Sequence, residues 1–259
     1  ICTLMGILAA CEPLAYNPTP VVQVITPIPS QTPIPSQTPT ATATRAITRT
    51  PTPDVTQTPT PAPCDEEAGQ MIPFEQNRSA IAGENLRYRV YVPPCYFSSQ
   101  KRFPVVYLLH GLSFREQQWE DLGMIEALEQ GIRLGVLPPM VLVMPWMGQI
   151  GQANQFPPEP SYENVVLEEL LPAIDRDFCT ISTRDHRAIA GISRGGFWAF
   201  SIAMRHPDLF SSVAGHSAFF PNDIALVAAT FNPLEIALNS SFLLEADLTI
   251  YMDNGASDS

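Results

Sequence analysis

The chain has 259 residues, of which 45% are hydrophobic, and a formal net charge of −12 at pH 7. This length allows one globular domain of about 200 residues with an appended segment. The first 63 residues carry two basic and two acidic side chains, so the net negative charge belongs to residues 64–259. That charge disfavours nucleic acid and other polyanions as partners.

The N-terminus has the pattern of an exported lipoprotein. Residues 1–10 are apolar and end in Leu-Ala-Ala before Cys11, a sequence that resembles the lipobox of bacterial lipoproteins. The segment is too short to span a bilayer, and it lacks both an initiator Met and a basic region. We interpret residues 1–10 as part of a signal peptide and Cys11 as the lipidation site. The sequence thus predicts an extracytoplasmic, cell-surface protein anchored to the membrane through a lipid on Cys11.

A Thr/Pro-rich segment follows the cysteine. Residues 17–63 contain 12 Pro and 13 Thr, no aromatic residue, and the hexapeptide TPIPSQ twice, at 26–31 and at 32–37. Such a composition cannot build a hydrophobic core and favours a stiff, solvated polyproline-like chain. Residues 11–63 are therefore predicted to form a disordered stalk, and residues 64–259 the folded domain.

The folded domain begins with a predicted hairpin. Residues 70–76 and 86–92 are strand-like, with a turn near Ala82 and Gly83. Because neighbouring ends of an antiparallel pair face each other, we predict a disulfide between Cys64 and Cys95, which bracket the two strands. Cys179 then remains and is predicted to be a buried free thiol.

Apolar strands then alternate with helical patterns. The predicted strands are 103–109, 140–144, 187–192, 212–216 and 248–253. Leu122, Ile125, Leu128 and Ile132 predict a helix over 121–134 capped by Asp121, and a second stripe over 167–178 contains Pro172, which should kink that helix. Alternation of this kind predicts a doubly wound, mainly parallel α/β sheet preceded by an antiparallel hairpin.

The stretch GISRG at 191–195 is the candidate catalytic motif. It lies between an apolar strand and a helical pattern of small residues, which is the context of a GxSxG nucleophile elbow. The serine of such an elbow adopts a strained backbone, and glycines two positions away allow the neighbouring backbone to pass. Ser193 is therefore the predicted nucleophile.

Five segments together resemble a family. They are YVPPCY at 91–96, VVYLLHGLS at 105–113, GISRGG at 191–196, RHPDLF at 205–210 and YMDNGASD at 251–258. They are similar to the esterase family of α/β-hydrolases that includes feruloyl and acetyl-xylan esterases, enterochelin esterases, S-formylglutathione hydrolases and mycolyltransferases. The resemblance covers about residues 70–259. It implies the α/β-hydrolase fold and a serine mechanism, and says little about the substrate.

The same resemblance implies roles for residues around Ser193. The backbone N–H groups of Leu112 and Arg194 correspond to the two oxyanion donors. We expect His110 to be a structural histidine of the loop, and the Arg194 side chain to be a surface ion-pair partner.

The acid and the base of the catalytic triad have more than one candidate. Asp258 matches the family's acid, with Asp253 as a competitor that is also a plausible turn former. The family's catalytic histidine follows the acid, whereas His206 and His216 both precede it. We therefore expect this chain to end before its catalytic histidine, a last strand and a closing helix.

Trp119, Trp146 and Phe219 follow predicted strand ends and are candidates for a substrate-binding wall. The sequence contains no metal-ligand cluster, phosphate-binding loop or dinucleotide motif, so we expect neither metal nor cofactor.

The sequence therefore predicts a serine carboxylic-ester hydrolase that acts through an acyl-serine intermediate, on a small-molecule or glycan ester such as an acyl or feruloyl ester of polysaccharide. Two alternatives remain open. One is acyl transfer to a sugar acceptor, and the other is a non-catalytic surface module that binds glycan.

Overall fold

Seven strands form one mixed sheet in the computed structural model, which describes residues 68–75, 78–221 and 226–256. In chain order, the strands are β1 Gln70–Glu75, β2 Arg87–Val92, β3 Val105–Leu109, β4 Val141–Pro145, β5 Arg187–Ile192, β6 Ser212–His216 and β7 Thr249–Asp253.

The order of the strands in the sheet is β1-β2-β4-β3-β5-β6-β7. β2 pairs antiparallel with β1 and with β4, and every other neighbouring pair is parallel. The predicted antiparallel hairpin and mainly parallel sheet are therefore confirmed. The carboxyl ends of β3, β5, β6 and β7 lie at one edge of the sheet, where an open α/β fold binds its ligands.

Helices cover both faces of the sheet. They are α1 Tyr96–Ser99, α2 Gln118–Asp121, α3 Met124–Arg133, α4 Tyr162–Asn164, α5 Leu171–Asp177, α6 Arg194–Arg205 and α7 Pro233–Asn239. A π-helix, Val165–Leu170, joins α4 to α5, and 3-10 turns occupy Ile150–Gln152, Arg184–His186 and Phe242–Leu244.

Strand β3 shows how the two faces become buried. Tyr107 belongs to the larger core cluster, which includes Trp198 of α6, while the next residue, Leu108, belongs to a second cluster with Trp119 and Leu128. Side chains of a strand alternate between faces, so a continuous apolar run is needed where both faces are covered. This explains why the parallel strands were recognisable from sequence.

The predicted helix over residues 121–134 is wrong in its start. Gly123, in a left-handed conformation with φ of 81°, separates α2 from α3. Asp121 ends α2 and does not cap the longer helix. Glycine adopts this conformation at little cost, so it divides an otherwise continuous apolar stripe into two helices.

The sequence predicted a kink at Pro172, and the structure has a π-helix directly before that residue. Pro172 lies in the first turn of α5, directly after the π-helix Val165–Leu170. Proline lacks an N–H and its ring clashes with the carbonyl four residues earlier, and a π-helical turn relieves both constraints.

All described residues belong to one compact unit. Among them, no helix combines the length and the apolar character needed to cross a lipid bilayer. Cys11, the stalk and Cys64 lie outside the described residues, so lipidation and the bridge from Cys64 to Cys95 stay predictions. Cys95 and Cys179 are both disulfide-bonded, which corrects the expectation that Cys179 is a free thiol.

Candidate active site

Ser193 occupies the junction between β5 and α6. Its backbone has φ of 51° and ψ of −112°, a conformation that is uncommon for a residue with a side chain. Its N–H donates to the carbonyl of His216 at 3.0 Å, and its own carbonyl accepts from Phe219 N–H at 3.0 Å. Strained backbone held by surrounding hydrogen bonds is typical of functional sites.

Two glycines make this turn possible. A Cβ on Gly191 would collide with the backbone of Gly195, and a Cβ on Gly195 would collide with the carbonyls of Leu109 and His110. The absence of the second Cβ has a functional consequence. It lets the N-terminus of α6 lie directly against the end of β3, which brings the elbow next to the loop that contains Leu112.

Two backbone donors are available at this junction. Arg194 N–H is the first of α6, and the first N–H groups of a helix have no intrahelical acceptor. Leu112 N–H donates no hydrogen bond to any residue that the structure describes. Two such groups beside a nucleophile could stabilise negative charge on a substrate oxygen.

The side chain of Arg194 differs from its prediction. It is buried, and its guanidinium donates to the carbonyls of Gly151 at 3.0 Å and Ala153 at 2.6 Å, and lies over the rings of Phe197 and Trp198. Burial lowers its pKa to about 10. Arg194 is therefore not a surface ion-pair partner. Its side chain holds the 150–153 turn against α6, and Trp198 Nε1 adds a hydrogen bond to Gly151 O at 2.7 Å.

The three aromatic candidates occupy different environments. Trp119 is only 4% exposed, donates from Nε1 to Leu109 O, and lies edge-on to the ring of His216 with the centroids 5.6 Å apart, so its assignment to a substrate wall stays a prediction. Trp146 is partly buried, with the guanidinium of Arg87 4.7 Å from its ring centroid. Phe219 is 50% exposed and its N–H donates to Ser193 O, so it lies beside the elbow, and its role in binding substrate stays a prediction.

An imidazole and a carboxylate meet at the ends of β6 and β7. His216 Nδ1 lies 2.9 Å from Asp253 Oδ2, and Tyr251 Oη donates to the same carboxylate at 3.1 Å. His216 pairs in register with Ile192, so it belongs to the same sheet edge as Ser193. No motif or spacing predicted that these two residues meet, because His216 and Asp253 are 37 positions apart.

The remaining histidines have other partners. His110 is buried and uses both ring nitrogens, with Met147 N–H and with Gly111 O. His206, at the end of α6, contacts the buried carboxylate of Glu163, and His186 lies before the start of β5. Of the four histidines in the chain, only His216 combines the nucleophile's sheet edge with a carboxylate partner.

Asp258, the predicted acid, lies outside the described residues. No group of His, Cys, Asp and Glu suited to a metal ion occurs in the described part of the chain. A residue that the sequence did not single out is Gln118, whose Oε1 accepts from Gly111 N–H at 2.7 Å. No periodicity or motif distinguishes this glutamine from Gln117.

The mainly parallel sheet, the helices on both faces and the elbow after β5 define an α/β-hydrolase. Comparison with known proteins places the chain further. Residues 79–259 match the model of the family Esterase, described as "Putative esterase", and the chain belongs to that family.

Curated relatives carry the same kind of name. The chain is 30% identical over 157 residues to an endo-1,4-beta-xylanase/feruloyl esterase of Xylanibacter ruminicola, with 56% of this chain and 22% of that protein aligned. It is 32% identical over 157 residues to Esterase Rv1288 of Mycobacterium tuberculosis, with 58% of this chain and 33% of that protein aligned. The chain thus spans about a fifth to a third of the length of these relatives.

Solved structures agree on the fold. A ferulic acid esterase superposes with a TM-score of 0.61 at 23% identity over 72% of this chain and 90% of that one. An S-formylglutathione hydrolase from Staphylococcus aureus superposes with a TM-score of 0.59 at 22% identity, over 73% and 80% of the two chains. At this identity the similarity establishes the α/β-hydrolase fold.

Proposed function

We propose that this protein is a serine carboxylic-ester hydrolase that acts through an acyl-Ser193 intermediate. The observation that carries the proposal is the strained backbone of Ser193, with the Leu112 and Arg194 N–H groups available beside it. A surface module that only binds glycan would need neither the strain nor the free donors.

The proposed reaction has two balanced halves. Ser193 Oγ loses its proton to an imidazole base and attacks the ester carbonyl, whose oxygen becomes negatively charged between the two N–H donors. The alkoxy group leaves with the proton from the imidazole, and the acyl group stays on Ser193. Water then attacks the acyl carbon with the same proton transfers and releases the carboxylic acid.

The carboxylate that orients the base is proposed to be Asp258, in keeping with its match to the family's acid. The contact between His216 and Asp253 supports a second assignment, because a carboxylate on Nδ1 leaves Nε2 as the proton acceptor. The two assignments make different predictions for substitutions at the two aspartates.

For the substrate, we propose an acyl or feruloyl ester of polysaccharide. The names of the relatives and of the superposed structures support an ester of this class. Leu112, Phe114 and Phe219 are large apolar side chains that are at least half exposed. The N–H of Phe219 donates to Ser193 O in the elbow, and the N–H of Phe114 donates to Gly111 O in the oxyanion loop. Apolar side chains around a nucleophile favour an apolar or aromatic acyl group.

Replacement of the nucleophile tests the proposed function. Ser193→Ala should abolish hydrolysis of p-nitrophenyl acetate and labelling by a fluorophosphonate probe, because the intermediate forms on its Oγ. Ser211→Ala is the matched control, since Ser211 precedes β6 at the opposite end of the sheet. Labelling that persists without Ser193 would sink the assignment. Product analysis with added trehalose or glucose separates hydrolysis from acyl transfer.

We further propose that the protein is held at the cell surface by a lipid on Cys11. The Leu-Ala-Ala-Cys sequence and the Thr/Pro-rich segment after it support this proposal. Cys11→Ser should move the protein from the membrane fraction to the soluble fraction of cells that express the chain. Unchanged fractionation would count against lipidation.

A further inference from the structure

We propose that Gln118 is a positioning residue for the oxyanion site, where it fixes the loop that presents the Leu112 N–H. This inference rests on the proposed function, since it concerns the same site. It assigns a role to α2, a helix of one turn that lies on the face of the sheet opposite α6.

The first contact is between Gln118 and the amide of Gly111. Gln118 is buried, and its Oε1 accepts from Gly111 N–H at 2.7 Å. A buried N–H without an acceptor is strongly disfavoured, so without this oxygen the Gly111 amide would turn toward another partner. Gly111 immediately precedes Leu112, and a rotation at Gly111 therefore changes the direction of the Leu112 N–H.

The second contact is between His110 and the carbonyl of Gly111. Met147 N–H donates to His110 Nε2 at 3.0 Å, which requires that Nε2 is unprotonated and places the proton on Nδ1. Nδ1 then donates to Gly111 O at 2.7 Å. A single neutral tautomer satisfies both contacts, and burial lowers the pKa of His110 in agreement with that neutral state.

Planarity of the peptide bond connects these contacts to the oxyanion site. Gly111 O and Leu112 N–H belong to one trans peptide unit and point in opposite directions. His110 Nδ1 and Phe114 N–H both hold the carbonyl, so the plane of that unit is fixed. Leu112 N–H must therefore point away from His110, and it has no partner among the described residues.

The segment that carries Gln118 is itself anchored. Its neighbour Trp119 donates from Nε1 to Leu109 O at 3.1 Å, at the end of β3. Two residues before Gln118, Glu116 forms an ion pair with Arg87 of β2 at 3.0 Å. Gln118 can therefore fix the loop relative to the sheet.

Substitution of Gln118 tests this role. Gln118→Met keeps the length of the side chain and removes the acceptor. We expect kcat to fall about 10-fold to 100-fold with KM unchanged. This fall is no larger than the one caused by removing an oxyanion donor itself, which is about 100-fold to 1000-fold. Affinity for an aryl boronic acid should fall by the same factor, because its adduct with Ser193 also places an oxygen between the two donors.

Two further variants control for structural damage. Gln118→Glu retains an acceptor oxygen and should recover most of kcat and of the boronate affinity. Gln117→Met makes the same change one position earlier, where the side chain does not contact Gly111, and should leave both constants within about 2-fold. If Gln118→Met does not fold, Trp119→Phe removes the hydrogen bond to Leu109 O and should produce a smaller, parallel loss of kcat and boronate affinity.

The results separate this inference from the proposed function. Activity that survives Ser193→Ala overturns the proposed function. Activity that needs Ser193 but stays at its normal level in Gln118→Met overturns the role of Gln118 alone. A loss of kcat with unchanged boronate affinity, or with no recovery in Gln118→Glu, likewise overturns it.

Discussion

The candidate site has two sides that differ in how they are held. On the donor side, β3, β5 and the start of α6 are buried, and their geometry depends on close backbone contacts at Gly191 and Gly195. On the carboxylate side, β7 is exposed along its whole length, and the pair of His216 and Asp253 is partly open to solvent.

The two sides of the site therefore position their polar groups in different ways. The donor side uses backbone groups, whose places follow from the path of the chain and from the absence of two Cβ atoms. The carboxylate side uses side chains at the ends of strands, where several carboxylates and histidines can satisfy the same sequence pattern. The strained elbow is consequently well defined by sequence, whereas more than one carboxylate and histidine fit the roles of acid and base.

The largest expected effect distinguishes the two aspartates. Asp258→Asn should lower kcat by about 10³-fold to 10⁴-fold, because an amide no longer orients the base in the correct tautomer. Asp253→Asn should lower kcat less than about 10-fold if it only ties the ends of β6 and β7 together. Steady-state kinetics on p-nitrophenyl acetate measures both.

The reverse order of effects, together with loss of activity in His216→Gln, would assign the base to His216 and the acid to Asp253. In that case the structure would describe the acid and the base as well as the two backbone donors.

The second prediction concerns the close approach on the donor side. Gly195→Ala should destabilise the protein by about 3 kcal/mol, because its Cβ would meet the carbonyls of Leu109 and His110, and backbone cannot move aside as a flexible side chain can. Urea unfolding at constant pH gives the free energy. Gly111→Ala is the control, since its Cβ would make ordinary contacts, the nearest at 3.5 Å, and it should cost less than about 1 kcal/mol. Equal costs for the two variants would contradict the steric explanation.

The third prediction compares a buried arginine with an exposed one. Arg194→Met should cost about 2 kcal/mol, because Ala153 O would lose its guanidinium donor and Gly151 O would keep only Trp198. Arg176→Met should leave the free energy of unfolding close to that of the unmodified protein, since its ion pair with Asp177 is on the surface. A stability loss at position 176 as large as at position 194 would contradict this account.

The sequence predicted the sheet and the strained turn at Ser193 because their signals are local. The apolar run ending at Leu109 needs no partner to be recognised, and neither does the spacing of Gly191, Ser193 and Gly195. The burial of Trp119 was not predicted, because its position after a strand is shared by exposed and buried residues. Its burial depends on α2 folding back onto the end of β3, which no periodicity encodes.

The side-chain contacts of the site were not predictable for a related reason. Gln118 bonds to Gly111 across a loop of six residues, and His216 meets Asp253 only because β6 and β7 pair in register. Arg194 was expected on the surface because arginine is rarely buried, and the two carbonyls that compensate for its burial lie about 40 positions away.

The backbone and the side chain of Arg194 have separate roles. Its backbone N–H is the candidate oxyanion donor, which any residue type could supply, while its guanidinium secures the 150–153 turn. Mutation at this position can therefore change the loop beside the elbow without removing the donor itself. Such a division would let the loop beside the elbow change in evolution while the backbone donor is retained.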